Sequence, residues 1–133
     1  MSEELRAGEI EVRMRVDGVR VASVRAIATD LVIREDLDLD TLADIKLAVD
    51  ESCATVLAKA RLDGLFECRL FVTPECVEMQ ASAATENGEE PGLESLGWHM
   101  LQVLTDSARC WVTGENGDRR MHVAFTKSLP GGE

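Results

Sequence analysis

Residues 44–60, DIKLAVDESCATVLAKA, leave a chain of this kind few ways to fold. Leu42, Ile45, Val49, Cys53, Val56 and Ala60 recur three to four residues apart, which predicts one long helix with one buried stripe. Glu51 and Thr55, one turn apart, share a different face beside that stripe. Asp50 is next to Glu51 in the sequence but points roughly 100° away around the axis, so the two acids are not a general acid/base pair. The helix therefore offers a single carboxylate, a hydroxyl one turn later, and a core to hold them.

The rest of the chain can be arranged around this helix. Ile10, Val12, Met14 and Val16 alternate with Glu9, Glu11, Arg13 and Arg15, which predicts a half-buried strand. After the turn at Asp17-Gly18, Val21, Val24, Ala28, Leu31 and Val32 mark an amphipathic helix over 19–33, with Arg20 and Arg25 outside its stripe. Asp40 or Thr41 is expected to cap the central helix, and Asp63-Gly64 to end it. Leu65–Thr73 and Cys76–Ala84 read as hairpin strands around the turn Pro74-Glu75. The polar stretch TENGEEPGLE (85–94) reads as a loop. A third helix is expected over 95–107, burying Leu96, Met100, Val103 and Leu104, with His99 packed in the core or at its boundary. Strands at 109–113 and 120–126, joined by GENGD, close the chain.

This order predicts one domain over residues 1–133, with flexible ends at about 1–8 and 128–133. Its architecture is expected to be a two-layer α/β sandwich, a mixed sheet of about five strands covered by three helices on one face. The apolar fraction of 45% suits a packed core, and no apolar run reaches the roughly 18 residues of a membrane span. No basic-then-apolar stretch opens the sequence, so the expectation is a cytoplasmic protein with no membrane partner. A formal charge of -11, from 25 acids against 14 basic residues, argues against direct nucleic-acid binding. Cys53, Cys68, Cys76 and Cys110 form no C-x-x-C pair, and His99 and His122 add no zinc-like spacing, so free buried thiols are expected and no metal site. Trp98 and Trp111 read equally as core residues or as partner anchors.

The segments ADIKLAVDESCATVL and LGWHMLQVLTDSARCWV, in this order of elements, resemble the histidine-kinase-like (Bergerat-type) ATPase fold. More closely, they resemble the small bacterial anti-sigma factors of the RsbW type, which share serine-protein-kinase ancestry. The resemblance spans about Glu9 to Lys127. It implies that Glu51 occupies the position of the family's general base, which acts on a serine of an anti-anti-sigma partner. It also implies that Thr55 stands where the family has a magnesium-binding asparagine. That is a departure, because a threonine hydroxyl is a weaker and shorter ligand than an amide carbonyl and Mg²⁺ is strict about its oxygens.

A second departure is larger. The family's adenine-reading aspartate, in a D-x-G-x-G motif, aligns close to Ala83 in VEMQASAATENG, and the motif is missing. The segment from Ala84 to Leu96 is short for wrapping a triphosphate, and Glu86, Glu89, Glu90 and Glu94 would repel one. Gly97 keeps a glycine at the start of the helix that follows, a weak signal for phosphate binding. Losing an adenine hydrogen bond and a metal ligand together costs on the order of several kcal/mol of nucleotide affinity. Thr55 and Gly97 are thus expected to line a degenerate nucleotide pocket with weak or absent ATP and Mg. Glu51 is expected to be a vestigial or weak base, a structural group, or simply a solvated helix carboxylate.

The resemblance implies an anti-sigma factor that sequesters an alternative RNA polymerase sigma factor and is relieved by an anti-anti-sigma (STAS) protein. The alternative is an active serine/threonine-protein kinase that phosphorylates that antagonist, and a third reading is a small-ligand sensor. Arg25 aligns with a first-helix arginine of the family's partner-binding surface; on its own, an exposed helical arginine is an ordinary surface residue. A homodimer near the first strand is also implied, and an alternating first strand can present an edge for pairing.

Overall fold

In the computed structural model, which describes residues 4–35, 37–86, 95–115 and 117–130, the alternating opening segment forms β1 (Ile10–Arg15). Two helices follow, α1 (Ala22–Ile33) and α2 (Leu39–Lys59), then the hairpin β2 (Leu65–Val72) and β3 (Cys76–Thr85). The chain closes with α3 (Leu96–Leu104), β4 (Ser107–Thr113) and β5 (Arg119–Ser128). Most of the expected loop 85–94 lies outside the described residues, as does part of the GENGD turn; Thr85 itself belongs to β3.

The five strands lie in the order β1-β2-β3-β5-β4. Every neighbouring pair is antiparallel, so the sheet is not mixed. The crossover through α3 does leave β3 and β4 running in the same direction, as such a connection must. The return strand β5 inserts between them, however, and no parallel pair forms. The register is set by burial. Phe66, Cys68 and Leu70 of β2, Val77, Met79, Ala81 and Ala83 of β3, and Val123 and Phe125 of β5 are buried on one face. Val24, Ala28 and Val32 of α1, Ile45, Val49, Cys53 and Val56 of α2, and Trp98 and Leu101 of α3 complete that core. Each large side chain among them contributes roughly 1.5–3 kcal/mol by leaving water. The layout is the α/β sandwich expected of a histidine-kinase-like domain.

Three local expectations need correction. The cap of α2 is Asp38, whose carboxylate accepts from the Thr41 amide at 2.9 Å; the helix therefore starts before Asp40 and Thr41. On α3 the buried residues are Trp98 and Leu101, while Leu96 and Val103 are 75% and 84% exposed and His99 is exposed as well. That helix, LGWHMLQVL, is apolar nearly all round, so its sequence does not mark one face. The bulky indole decides the orientation. Finally, Ser128 and Leu129 belong to the folded body. Ser128 donates its amide to Asp106 at 2.8 Å, and Leu129 is buried with its amide on the Glu75 carbonyl at 2.9 Å.

The other face of the sheet is polar. Arg69 pairs with Glu11 at 2.9 Å, and Glu67 sits between Arg13 and Arg120 at 3.5 and 3.1 Å. Trp111 stacks on His122 here, with ring centroids 5.0 Å apart, and so is not a core residue of the helix-covered face.

Candidate functional site

The length of α2 places its outer residues in a defined order. Ile45, Ala48, Val49, Ser52, Cys53 and Val56 are buried, which turns Glu51 and Thr55 to the half-exposed flank of the stripe. Asp50 points elsewhere and pairs with Arg25 of α1 at 3.1 Å. The two acids are separated by the helix, as their spacing requires.

Glu51 faces the start of α3. A methyl group added at Gly97 would come within 2.5 Å of Glu51 Oε2. Gly97 does not have a positive φ, so space beside the carboxylate, rather than backbone conformation, is what a glycine supplies there. The Glu51 side chain makes no hydrogen bond or ion pair among the described residues. Thr55 lies one turn on, and its hydroxyl donates to the Glu51 backbone carbonyl at 2.8 Å. Its proton is committed within the helix, a common resting state for a helical threonine.

Of the four residues singled out in the sequence, Glu51, Thr55 and Gly97 are gathered by the α2–α3 packing. Arg25 is not among them and belongs to a separate α1–α2 surface. There Ala22, Ala26, Ile33 and Lys46 line a shallow groove with Arg25. Lys46 makes no ion pair among the described residues.

Beyond Thr55, the C-terminal end of α2 is fastened to the end of β3. The Thr85 hydroxyl donates to the Lys59 carbonyl at 2.7 Å, Arg61 donates its amide to the Ala84 carbonyl at 2.8 Å, and Ala60 and Thr85 form an isolated bridge. Ala83, near the position of the family's adenine-reading aspartate, is buried on the same face. Thr85 was hidden in the sequence by the polar stretch that follows it. The signal was present in the alternation Met79, Ala81, Ala83, which continues to Thr85 on the buried side.

None of the four cysteines is in a disulfide. Cys53 and Cys68 are buried, and Cys76 and Cys110 are partly exposed. Burial, with a smaller contribution from Asp50, pushes the Cys53 thiol up to about 12, and burial raises Cys68 as well. Neither is set up as a nucleophile. No helix among the described residues is long and apolar enough to cross a membrane.

No family model matches the chain. Two curated relatives do, both called anti-sigma-F factor RsbW, from the CDC 1551 / Oshkosh and H37Rv strains of Mycobacterium tuberculosis. Each is 34% identical over 116 residues, which is 86% of this chain and 67% of the relative. With that identity over most of both sequences, the chain belongs to the RsbW family of anti-sigma factors.

Proposed function

We propose that this protein is an anti-sigma factor that binds an alternative sigma subunit of RNA polymerase and is displaced from it by an anti-anti-sigma protein. The observation that carries the proposal is the 34% identity, over most of the chain, to proteins named anti-sigma-F factors. Binding would hide sigma surfaces that polymerase needs, and competition between the two partners would be the switch. Arg25 and the α1–α2 groove beside it are the proposed contact, because Arg25 stays about half exposed despite its pair with Asp50. The exposed edge of β1 is the proposed site of a homodimer, and the protein is placed in the cytoplasm with the polymerase.

The same reading includes weak or absent nucleotide use. The residues are a poor fit to Mg-ATP. Thr55 offers a short hydroxyl whose proton is already donated, Ala83 has no group to read adenine, and a carboxylate faces Gly97 where phosphate would approach. Co-purification with candidate sigma and anti-anti-sigma proteins tests the main proposal. Recovery of either is expected, and a screen that yields neither would end it.

A second reading, a protein kinase acting on the antagonist, is favoured by one feature: the Glu51 side chain has no partner among the described residues, so it is free to accept a proton. Labelled ATP with the antagonist, comparing wild type and Glu51→Ala, decides between them. Transfer that depends on Glu51 supports the kinase, and no transfer in either removes it.

A further inference from the structure

We infer that a hollow on the polar face of the sheet, bordered by Arg109 and the N-terminal segment, is a binding site for a small hydroxy- or keto-monocarboxylate. The inference goes beyond the anti-sigma reading, whose proposed contact lies on α1 and α2. The hollow has a volume of about 270 Å³. Strand register builds its floor. Glu78, Thr126 and Ser107 stand in one row across β3, β5 and β4, and Gln80, Ala124 and Arg109 stand in the next. Ala124 carries only a methyl group in the middle of the second row, so the floor stays open between Gln80 and Arg109. Glu4, Arg6 and Glu9 of the N-terminal segment border the same hollow.

The charges around this hollow are unevenly matched. Arg6 donates to Glu9 and Glu78 at 3.2 and 3.3 Å and lies over the Phe71 ring, 3.9 Å from its centroid. Arg69 is taken up by Glu11 at 2.9 Å. Arg109 has no carboxylate partner among the described residues; its guanidinium lies over the Trp111 ring, 4.7 Å from the centroid. That contact uses one face of the planar group and leaves its in-plane N–H donors available. The side chains of Gln80, Ser107 and Thr126 make no hydrogen bond among the described residues either. One uncommitted cation and three uncommitted neutral groups thus share the floor of the hollow, while Arg6 and Arg69 are already neutralised.

This set of groups selects the ligand. A guanidinium with free in-plane donors matches the two oxygens of a carboxylate. The lining carries Glu4, Glu9 and Glu78 against Arg6, Arg69 and Arg109, so one negative charge can be placed on Arg109, but a second meets repulsion with no cation to offset it. That favours a monocarboxylate over a phosphate dianion. The Ser107 and Thr126 hydroxyls and the Gln80 amide can hold a hydroxyl or carbonyl oxygen next to the carboxylate. At roughly 30 Å³ of liquid per water the hollow has room for about nine waters, which suits a small metabolite and is too little for a nucleotide.

The test titrates the full chain with L-lactate, acetate and inorganic phosphate at constant ionic strength, read by the backbone amide shifts of Ser107, Arg109, Ala124 and Thr126. Saturable lactate shifts centred on these residues are expected, with acetate about fivefold weaker because it lacks the hydroxyl. Arg109→Gln should weaken lactate at least about tenfold, since a charge-assisted fork gives way to a neutral amide. Ala124→Leu fills the floor while keeping the arginine, and should abolish the shifts. If that variant disturbs the sheet, the exposed Arg109→Gln decides alone. No saturable shift with lactate, equal binding by wild type and Arg109→Gln, or phosphate or acetate binding as tightly as lactate would each overturn the inference.

Discussion

Replacing Thr85 with valine removes one hydroxyl from the junction between α2 and β3 and leaves the shape nearly unchanged. Thr85 is 3% exposed, and its hydroxyl donates at 2.7 Å to the carbonyl of Lys59, the last residue of α2. That carbonyl is one of the four at a helix end with no partner inside the helix. Losing the bond costs about 1 kcal/mol net, and leaving a largely desolvated acceptor unpaired brings the total to about 1.5 kcal/mol, even after the slightly better strand propensity of valine. For 133 residues the unfolding entropy is about 0.28 kcal/mol/K, so Tm should fall by about 5 °C. Urea unfolding should show a lower midpoint at an unchanged slope, because the exposed surface is the same. Native-state hydrogen exchange adds a local readout. The Arg61 amide, bonded to Ala84 beside the lost contact, should exchange faster while the amides of β1 stay unaffected. A Tm within about 1 °C of wild type, or a lower Tm without faster exchange at Arg61, would refute the claim that this hydroxyl fastens α2 to β3.

Three further outcomes follow from the same geometry. Trp98→Ala removes the only indole on the buried side of α3 and should cost about 3–5 kcal/mol; a loss under about 1 kcal/mol by urea denaturation would mean that the indole is not a core element. In the native protein at pH 8, Cys53 should be about one part in 10⁴ thiolate, given a thiol pushed up to about 12. Disulfide-exchange reagents should therefore label Cys76 and Cys110 well before Cys53 and Cys68, and equal rates on all four would contradict the burial. His122 is held below its ordinary value of 6.5, first by burial and then by Arg120, against the opposing pull of Glu67. Between the folded and unfolded values the unfolded chain binds more protons, so this contribution is complete above about 6.5 and is lost as pH falls through the lower folded value. His122→Phe should flatten that part of the stability profile between pH 7 and 5, measured by urea midpoints; an unchanged slope would show that His122 does not titrate there.

Much of the fold is legible in the residues because two of its signals are strong. The helix α2 spans more than five turns, and its predicted stripe matches the buried set Ile45, Val49, Cys53 and Val56. The alternation of β1 likewise puts Val12 and Met14 toward the core and Glu11 and Arg13 on the polar sheet face. Where the signal weakens, so does the reading. The nine residues of α3 are apolar on nearly every side, so periodicity cannot choose between Leu96 with Val103 and Trp98 with Leu101. At the candidate site, Glu51, Thr55, Gly97 and Arg25 are visible through motif resemblance, but their company is not. Nothing local says that Asp50 holds Arg25 or that Thr85 reaches Lys59, since those pairs are 25 and 26 residues apart.

The amino-acid sequence by itself determined the order of elements, the buried faces of α1, α2 and β1, and the RsbW-type character of the two helical segments. These are properties of short-range periodicity and residue type, which the chain carries wherever it is placed. The tertiary structure alone decided that β5 enters between β3 and β4, which side of α3 is buried, and that a glutamate lies against a glycine from a different helix. Those outcomes depend on which apolar surfaces meet and on how closely two backbones can approach, and such terms exist only once distant segments are brought into contact.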